Sequence, residues 1–547
     1  MKIRPQDQEF RNPKVFYPDP KNIDLDRVLV NLFVLLRCEG QRPASRGRHR
    51  RQIESIEYHA TQLAEMSGVT GLREHPEITK AWLESDIFDL VNRGGVREAV
   101  ASLRPLHLDA HKIRVAKHCR DYNHADALYA FLEHGEKQAL ADLKSYLDQG
   151  RDPQSSHPDS RAHVDLDTLT VIKLVEGLPD LHKSGEKLTD SPPVCRGQAR
   201  ILCDDVQRLL AYRDAVPRPV MIDYLKTVMG LHLGLYILRL RRQLTGWIQD
   251  KQTASACRAC PVWGTSHAPF KDCPYGVALA VDMGSDYRSR MAQVSQASAA
   301  EEYGHLGDFV RAIFTVNQLL RYARDEKQLG IPEEPMEVIR LLREPPQDFD
   351  ADFRARLKEF RRENENRDEG EELPPEIEAI LGAGLSPFET FIEVVTHIRQ
   401  KHHTNYLTQD LDKLFQKNTD WGALVQGRSK VNPRRWHLGG RLLEVLVQLS
   451  VLRFEESLVG KGFWSEDILI EDFLHWIERR YGFVIGPSVT DPQRRPVTLD
   501  QHRAYRENVT ALKDRLREIG FYDDLSDAYN AQRIRPRYPI GQPEASQ

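Results

Sequence analysis

Apolar residues recur along this chain three and four positions apart far more often than they alternate, which predicts helices rather than sheet. Residues 1–23 are rich in Pro and charge and are expected to lie over the surface. Asp24 then opens Leu25-Asp-Arg-Val-Leu-Val-Asn-Leu-Phe-Val-Leu-Leu-Arg37. Leu25, Val28, Leu29, Leu32, Phe33 and Leu36 share one face, Asp24 is placed to cap it, and Gly40 and Pro43 end it. Helices are predicted from Ile53 to Met66, Ile78 to Val91 and Asn123 to Leu147, punctuated by Ser67-Gly68, Gly94-Gly95 and Gly150. The β-branched stretch Val164 to Val175 leaves strand and helix both open. Val220 to Ile248 is apolar nearly all round, the mark of a deeply buried helix. Gly307 to Arg324 is amphipathic, with Phe309, Ile313, Val316 and Leu320 on one side.

The C-terminal third continues in the same way. Ser386-Pro-Phe-Glu389 is a capping box with Pro at the first helical position; it starts a helix through Gln400, and a second is predicted from Tyr406 to Phe415. Leu438 to Leu452 follows, and Gly460-Lys-Gly-Phe-Trp breaks the chain. An amphipathic helix over Ser465 to Tyr481 is closed by Gly482, with a short strand at Phe483-Val-Ile485 and a last helix from Gln501 to Ile519 before a polar tail. The expected fold is mainly α and multidomain. The Gly-, Ser- and Pro-containing stretch 150–163 and the charged, Pro-flanked stretch 344–375 are the natural boundaries. They give a helical domain over residues 1–150, a cysteine-containing helical domain over 164–343, a charged linker over 344–380, helical from Asp352 to Arg362, and a winged-helix-like or helical docking domain over 381–547.

Composition narrows the function without naming it. The 547 residues are 40% hydrophobic and 29% charged, enough for several cores, so a metal is not needed to compensate for small size. A net charge of −4 supplies no global basic field, so nucleic-acid binding would rest on local patches. The start carries no apolar signal core, and no run of about 18 uninterrupted apolar residues occurs. The most apolar run, Val228 to Leu240, contains His232 and Arg239. A cytoplasmic setting is expected. The seven cysteines are an odd, clustered set, which fits metal ligation in a reducing compartment better than a disulfide framework.

Five of those cysteines fall between Cys195 and Cys273. Cys257-Arg-Ala-Cys260 is a tight chelating turn, and Cys273 adds a third thiolate after twelve intervening residues. Cys195, on an irregular stretch after Pro192-Pro193, is the best fourth ligand; Cys203 and His267 are the alternates. Pro follows Cys260 and Cys273, and Trp263, Phe270 and Tyr275 surround the turn. A dry four-thiolate pocket suits a 4Fe-4S cluster, and zinc accepts the same ligands. Such a closed site is structural rather than catalytic. The layout resembles the helical iron–sulfur staples of some DNA-processing proteins, such as primase large subunits and certain helicase–nucleases.

Two basic runs are candidate phosphate contacts: Arg42, Arg46, Arg48, His49, Arg50 and Arg51, and Arg428, Lys430, Arg434 and Arg435 with Arg441, Arg479 and Arg480. Ordinary solvated arginines are the competing reading of both. His107, His111 and His118 would share a face if their segment is helical, a weaker metal candidate than half-buried core histidines. Asp282 and Asp286 are expected to be turn and cap residues. No phosphate-binding Gly-x4-Gly-Lys loop, dinucleotide fingerprint, His-Glu-x-x-His, nucleophile elbow or kinase signature occurs.

The segments from Asp24 to Gly40, from Cys257 to Cys273 and from Glu471 to Gly482 are similar to a component of the methylation-associated antiphage defence systems. That resemblance implies work beside an ATPase and a DNA methyltransferase in one multi-protein machine. The expected function is a non-catalytic, metal-stapled, DNA-associated subunit. A divergent metal-dependent nuclease and a purely protein-bridging scaffold are the alternatives.

Overall fold

The computed structural model describes residues 1–43, 55–65, 70–152, 164–181, 183–187, 191–253, 257, 260, 273–325, 334–365, 373–428, 432–457, 460–487, 498–522 and 532–541. The protein is mainly helical. Nine helices carry the argument: α1 (Leu25–Arg37), α2 (His124–Gly135), α3 (Arg196–Leu210), α4 (Arg218–Asp250), α5 (Leu306–Asp325), α6 (Pro387–Leu414), α7 (Gly440–Ser450), α8 (Ile470–Tyr481) and α9 (Leu499–Glu518).

The 33-residue α4 is the axis of the fold, buried along nearly its whole length, with α1, α2, α3, α5 and α6 packed against it. Among the described residues it alone is long and apolar enough to cross a membrane, and 83% of its most apolar window is buried inside the protein. Each fully buried leucine on it contributes about 1.5–3 kcal/mol. Two glycines permit the closest approaches: a Cβ at Gly230 would lie 2.9 Å from Leu25 of α1, and one at Gly234 would lie 2.8 Å from the Phe415 ring. Gly→Ala at either position therefore pushes a neighbour off the axis.

Local rules explain most of the remaining boundaries. The Asp24 carboxylate accepts from the Asp26 N–H at 2.9 Å and starts α1. Ser386 and Glu389 form the expected capping box of α6. Gly482, at φ 81°, ends α8 in the left-handed conformation that favours glycine. The open stretch after Val164 is a helix, Leu166–Leu174, capped by Asp165.

Four expectations are corrected. Ile78 to Val91 is not one helix: Pro76–Trp82 is helical, Leu83–Ile87 forms a π turn, and Phe88–Val91 is a strand paired antiparallel with Ala99–Leu103. Asn92 and Gly94, both at positive φ, turn the chain there, so Gly94-Gly95 marks a hairpin tip. Gln400 does not end α6, because no breaker lies between it and Tyr406, and His403 is buried against Phe10 with ring centroids 4.2 Å apart. Gly460–Ser465 is no simple break but the second strand of a hairpin with Leu452–Ser457. Residues 1–23 do not lie over the surface: Phe10, Val15, Phe16, Tyr17 and Ile23 are buried. Asn317 of α5 donates to the Glu9 and Phe10 carbonyls, both at 3.1 Å, and holds this arm in place.

One hydrophobic cluster includes residues from Phe10 to Ile534. It takes in Phe349 and Phe353 of the helix Phe349–Glu365, which stack among Tyr322, Phe388 and Phe391 inside the stretch expected to be a charged linker. The strand Phe483–Val484 pairs in parallel with Leu279–Ala280, and Val281 bridges to Trp436, so the last third is stitched to the middle of the chain. Asn508 of α9 completes the seam: its amide donates to the Val281 and Ile485 carbonyls, each at 2.8 Å, and its carbonyl accepts from the Met283 N–H at 2.7 Å.

Candidate metal centre and basic turn

The cysteine corner forms where α3 begins and α4 ends. Cys195 occupies the cap position of α3, with no capping bond from its side chain, and its carbonyl accepts from the Gln198 N–H at 3.2 Å. Cys195, Cys260 and Cys273 all pack against Ile201, in the second turn of α3. Cys257 lies beyond the end of α4, and its sulfur accepts from the Gln243 amide at 3.4 Å. The return of the chain is fixed from α4 as well, since Arg242 donates to the Gly276 carbonyl at 3.0 Å. Gly246 leaves room for the Tyr275 ring, which a Cβ there would meet at 2.7 Å.

Cys195 and Cys257 each feel Cys260 and Cys273. Burial pushes Cys195 up to about 12 and Cys257 up to about 11, and neighbouring cysteines add to both; burial raises Cys273 too. Crowded, desolvated thiols of this kind ionise when a cation takes the place of their protons. Among the described residues, no group of three or more His, Cys, Asp or Glu side chains is arranged as it stands to hold a metal ion. His267 lies outside the described residues. Cys203 does not join the corner: it faces α2, where its thiol donates to the Phe131 carbonyl at 3.5 Å and touches the space a Cβ on Gly135 would need. Of the two cysteines offered by α3 and its approach, Cys195 is therefore the one placed with the pair.

Behind the corner lies a buried polar knot that the sequence reading did not assemble. Asp205 of α3 sits between His232 of α4 and Arg480 and Tyr481 of α8. His232 Nε2 is 2.8 Å from Asp205 Oδ2, the Tyr481 hydroxyl donates to the same oxygen at 2.7 Å, and Arg480 Nε donates to Oδ1 at 2.9 Å. Arg480 also reaches Asp204 at 2.6 Å, which accepts from Arg208 at 2.8 Å. Burial works against the charge on Asp205, but Arg480 and His232 hold its carboxyl below the usual range. Burial also lowers His232, working against a charge on its ring. With Nε2–H donated to Asp205, Nδ1 accepts from the Gln198 amide, and the Gln198 carbonyl accepts from Arg239. The signal available in the sequence was His232 and Arg239, two polar residues inside its most apolar run.

The basic turn behaves differently. It is the connection of a two-stranded hairpin, Leu424–Val425 with Arg435–Trp436. Arg435 is only 2% exposed, ion-paired with Asp282 and set over the Tyr287 ring. Arg434 makes a two-pronged bond to Asp412, Nε at 2.9 Å and Nη2 at 2.8 Å, and stacks over Tyr303. A phosphate would have to displace these carboxylates, which removes Arg435 from the reachable contacts and leaves Arg434 committed. Arg480, 1% exposed, is withdrawn for the same reason. Arg428 is exposed. Lys430, Arg46, Arg48, Arg50 and Arg51 lie outside the described residues. Asp282 is more than a turn residue, since besides accepting from the Gly284 N–H at 2.9 Å it is the partner of Arg435; Asp286 is the expected turn residue, accepting from the Arg288 N–H.

The histidine face also dissolves. His107 precedes a short 3-10 helix, Leu108–Lys112, and its Nδ1 accepts from the Asp109 N–H, while His111 Nδ1 donates to the Leu108 carbonyl at 2.8 Å. Burial lowers them to about 3 and about 4, as expected of neutral core histidines.

Comparison with curated proteins and with solved structures returned no match. The family model described as methylation-associated defense system protein MAD7 matches residues 5–538. With nearly its whole length covered, the chain belongs to that family of defence-system proteins.

Proposed function

We propose that this protein is a non-catalytic, DNA-associated subunit of an antiphage defence complex, stapled by a 4Fe-4S cluster or zinc and acting with a partner ATPase. The observation that carries the staple is the gathering of Cys195, Cys260 and Cys273 on Ile201, with Cys257 electrostatically coupled to the latter two. Cys195, Cys257, Cys260 and Cys273 would be the four ligands. A closed thiolate set offers no open position to a substrate, so its work is to pin the Pro-rich approach of α3 to the end of α4. The DNA-associated part draws support from membership of a methylation-associated system and from Arg428, with a docking module in the C-terminal third.

The test of the staple is elemental analysis and visible absorption of anaerobically purified protein. Iron with broad thiolate-to-iron absorption selects the cluster, colourless protein with zinc selects the other, and the absence of both metals overturns the staple. Cys257→Ser should lose metal and thermal stability together. A second reading, a protein-bridging scaffold, is favoured by the inward pairing of Arg434 and Arg435. DNA binding that weakens with salt supports the first reading, and its absence at low salt supports the second. Divalent-metal-dependent DNA cleavage by the purified protein would overturn both in favour of a nuclease.

A further inference from the structure

Because α6 runs unbroken through Gln400 and Tyr406, the polar residues between them form one helical surface. Arg399, His402 and Tyr406 stand three and four positions apart and share a face of that helix. The His402 and Tyr406 ring centroids are 4.8 Å apart. Lys21 comes from the N-terminal arm and sets its Nζ 3.8 Å from the centre of the same Tyr406 ring. The arm is pinned on both sides of Lys21: the Asp19 N–H donates to the Tyr122 carbonyl at 2.9 Å, and Ile23 is buried. His402 is exposed, while Lys21, Arg399 and Tyr406 are half-buried. Arg399 Nε is closed off from solvent without a hydrogen-bond partner, and neither Arg399 nor Lys21 makes an ion pair among the described residues. That sets them apart from Arg434 and Arg435, each of which has its own carboxylate. A guanidinium has donors and no acceptor, so this one lacks an oxygen to bond. Burial, then Arg399 and Lys21, hold His402 below its usual range, and Asp19 works against that.

We propose that Lys21, Arg399 and His402, gathered on the outer face of α6, hold the sugar-phosphate backbone of DNA. The inference rests on the DNA-associated reading above and gives it residues outside both basic runs. The row from Arg399 to Tyr406 is about 10 Å long at a helical rise of 1.5 Å per residue. A strand of DNA lays more than one phosphate along such a row, and each brings the acceptor oxygens that Arg399 and Lys21 lack. A free phosphate ion gains less, because a helix face offers no enclosing pocket to take it out of water. Contacts of this kind position the protein on the duplex without reading bases, so the binding is independent of sequence.

The experiment measures binding of a labelled DNA duplex by the full chain across a salt series, with Arg399→Gln and Lys21→Gln beside the wild type. Each variant should weaken binding about 5–10-fold in roughly 0.1 M salt and lower the slope of log affinity against log salt by about 1. Arg399→Lys, which keeps the charge, should lose less. Duplexes of unrelated sequence should be affected alike. Wild-type affinity and slope in both glutamine variants overturn the inference while leaving the DNA-associated reading in place. Displacement of the duplex by inorganic phosphate at constant ionic strength overturns it as well, because the site would then be one for a free anion. If Arg399→Gln does not fold, Lys21→Gln decides, since Lys21 lies on the arm and touches α6 through the Tyr406 ring. Wild-type protein that binds no duplex even at low salt sinks the DNA-associated reading and this inference with it, a result distinct from the other two.

Discussion

The cysteine corner and the basic turn both stand out in the sequence by residue type, and the fold treats them in opposite ways. The corner gathers cysteines from two ends of the middle region onto one isoleucine. The turn sends two of its arginines inward to Asp282 and Asp412. The difference lies in what each side chain can satisfy alone. A thiol is small, apolar and weakly hydrogen-bonding, so several can gather in one half-buried corner without charged partners of their own. An arginine has a long apolar stem and a planar fork that matches any carboxylate, so a basic run can be consumed internally wherever acids are near.

That contrast can be broken experimentally. The largest expected effect is at Arg435. Arg435→Ala strands Asp282 in the interior and should cost about 3–5 kcal/mol, read as a lower urea midpoint, whereas a true phosphate contact would leave stability unchanged. Acid comes next. His437 in the same turn is lowered to about 4, first by burial and also by Arg435 and Arg515, while its ring N–H donates to the Asp282 carbonyl at 2.7 Å. The unfolded chain takes up a proton near 6.5 and the folded one only near 4, so stability is full above pH 6.5 and falls as pH drops toward 4. The loss is on the order of 3 kcal/mol, and His437→Gln should flatten that part of the pH–stability curve. Smaller is Cys203→Ala, expected to cost about 1 kcal/mol with metal content unchanged, against the loss of metal in Cys257→Ser. If Cys203→Ala sheds metal, the corner is drawn with the wrong fourth ligand. The smallest effect is at exposed Arg428: Arg428→Ala should move stability by no more than about 0.5 kcal/mol, and in the DNA-bound reading reduce the salt slope by about 1.

The helices were legible because their signals are local. Asp24, Ser386 and Gly482 cap what they were expected to cap, and the largely apolar run at 220–248 lies in the buried axis. What escaped was decided by partners far away in sequence. Phe88–Val91 looks helical until Ala99–Leu103 pairs with it. The polar character of residues 1–23 hid Phe10 and Phe16, which pack on α5 and, for Phe10, on α6. Arg435 and Arg480 looked like surface charge because nothing near them in the sequence names Asp282 or Asp205 as their partners. The packing of Cys195 with Cys260 and Cys273 on Ile201 follows an expectation that was easier to form, because the chain has few cysteines; that the set holds a metal is the proposal above.

The buried N-terminal arm sets an order of events during synthesis. It leaves the ribosome well before its partners: the Asn317 amide that grips Glu9 lies 308 residues later, and His403 beneath Phe10 comes later still. Contacts so distant along the chain close late, after α5 and α6 have formed. Until then Phe10, Phe16 and Tyr17 are open to solvent and to other nascent chains. Pulse-labelled hydrogen exchange during refolding should find residues 9–17 among the last to gain protection. Early protection there would mean that the arm folds before its trough exists.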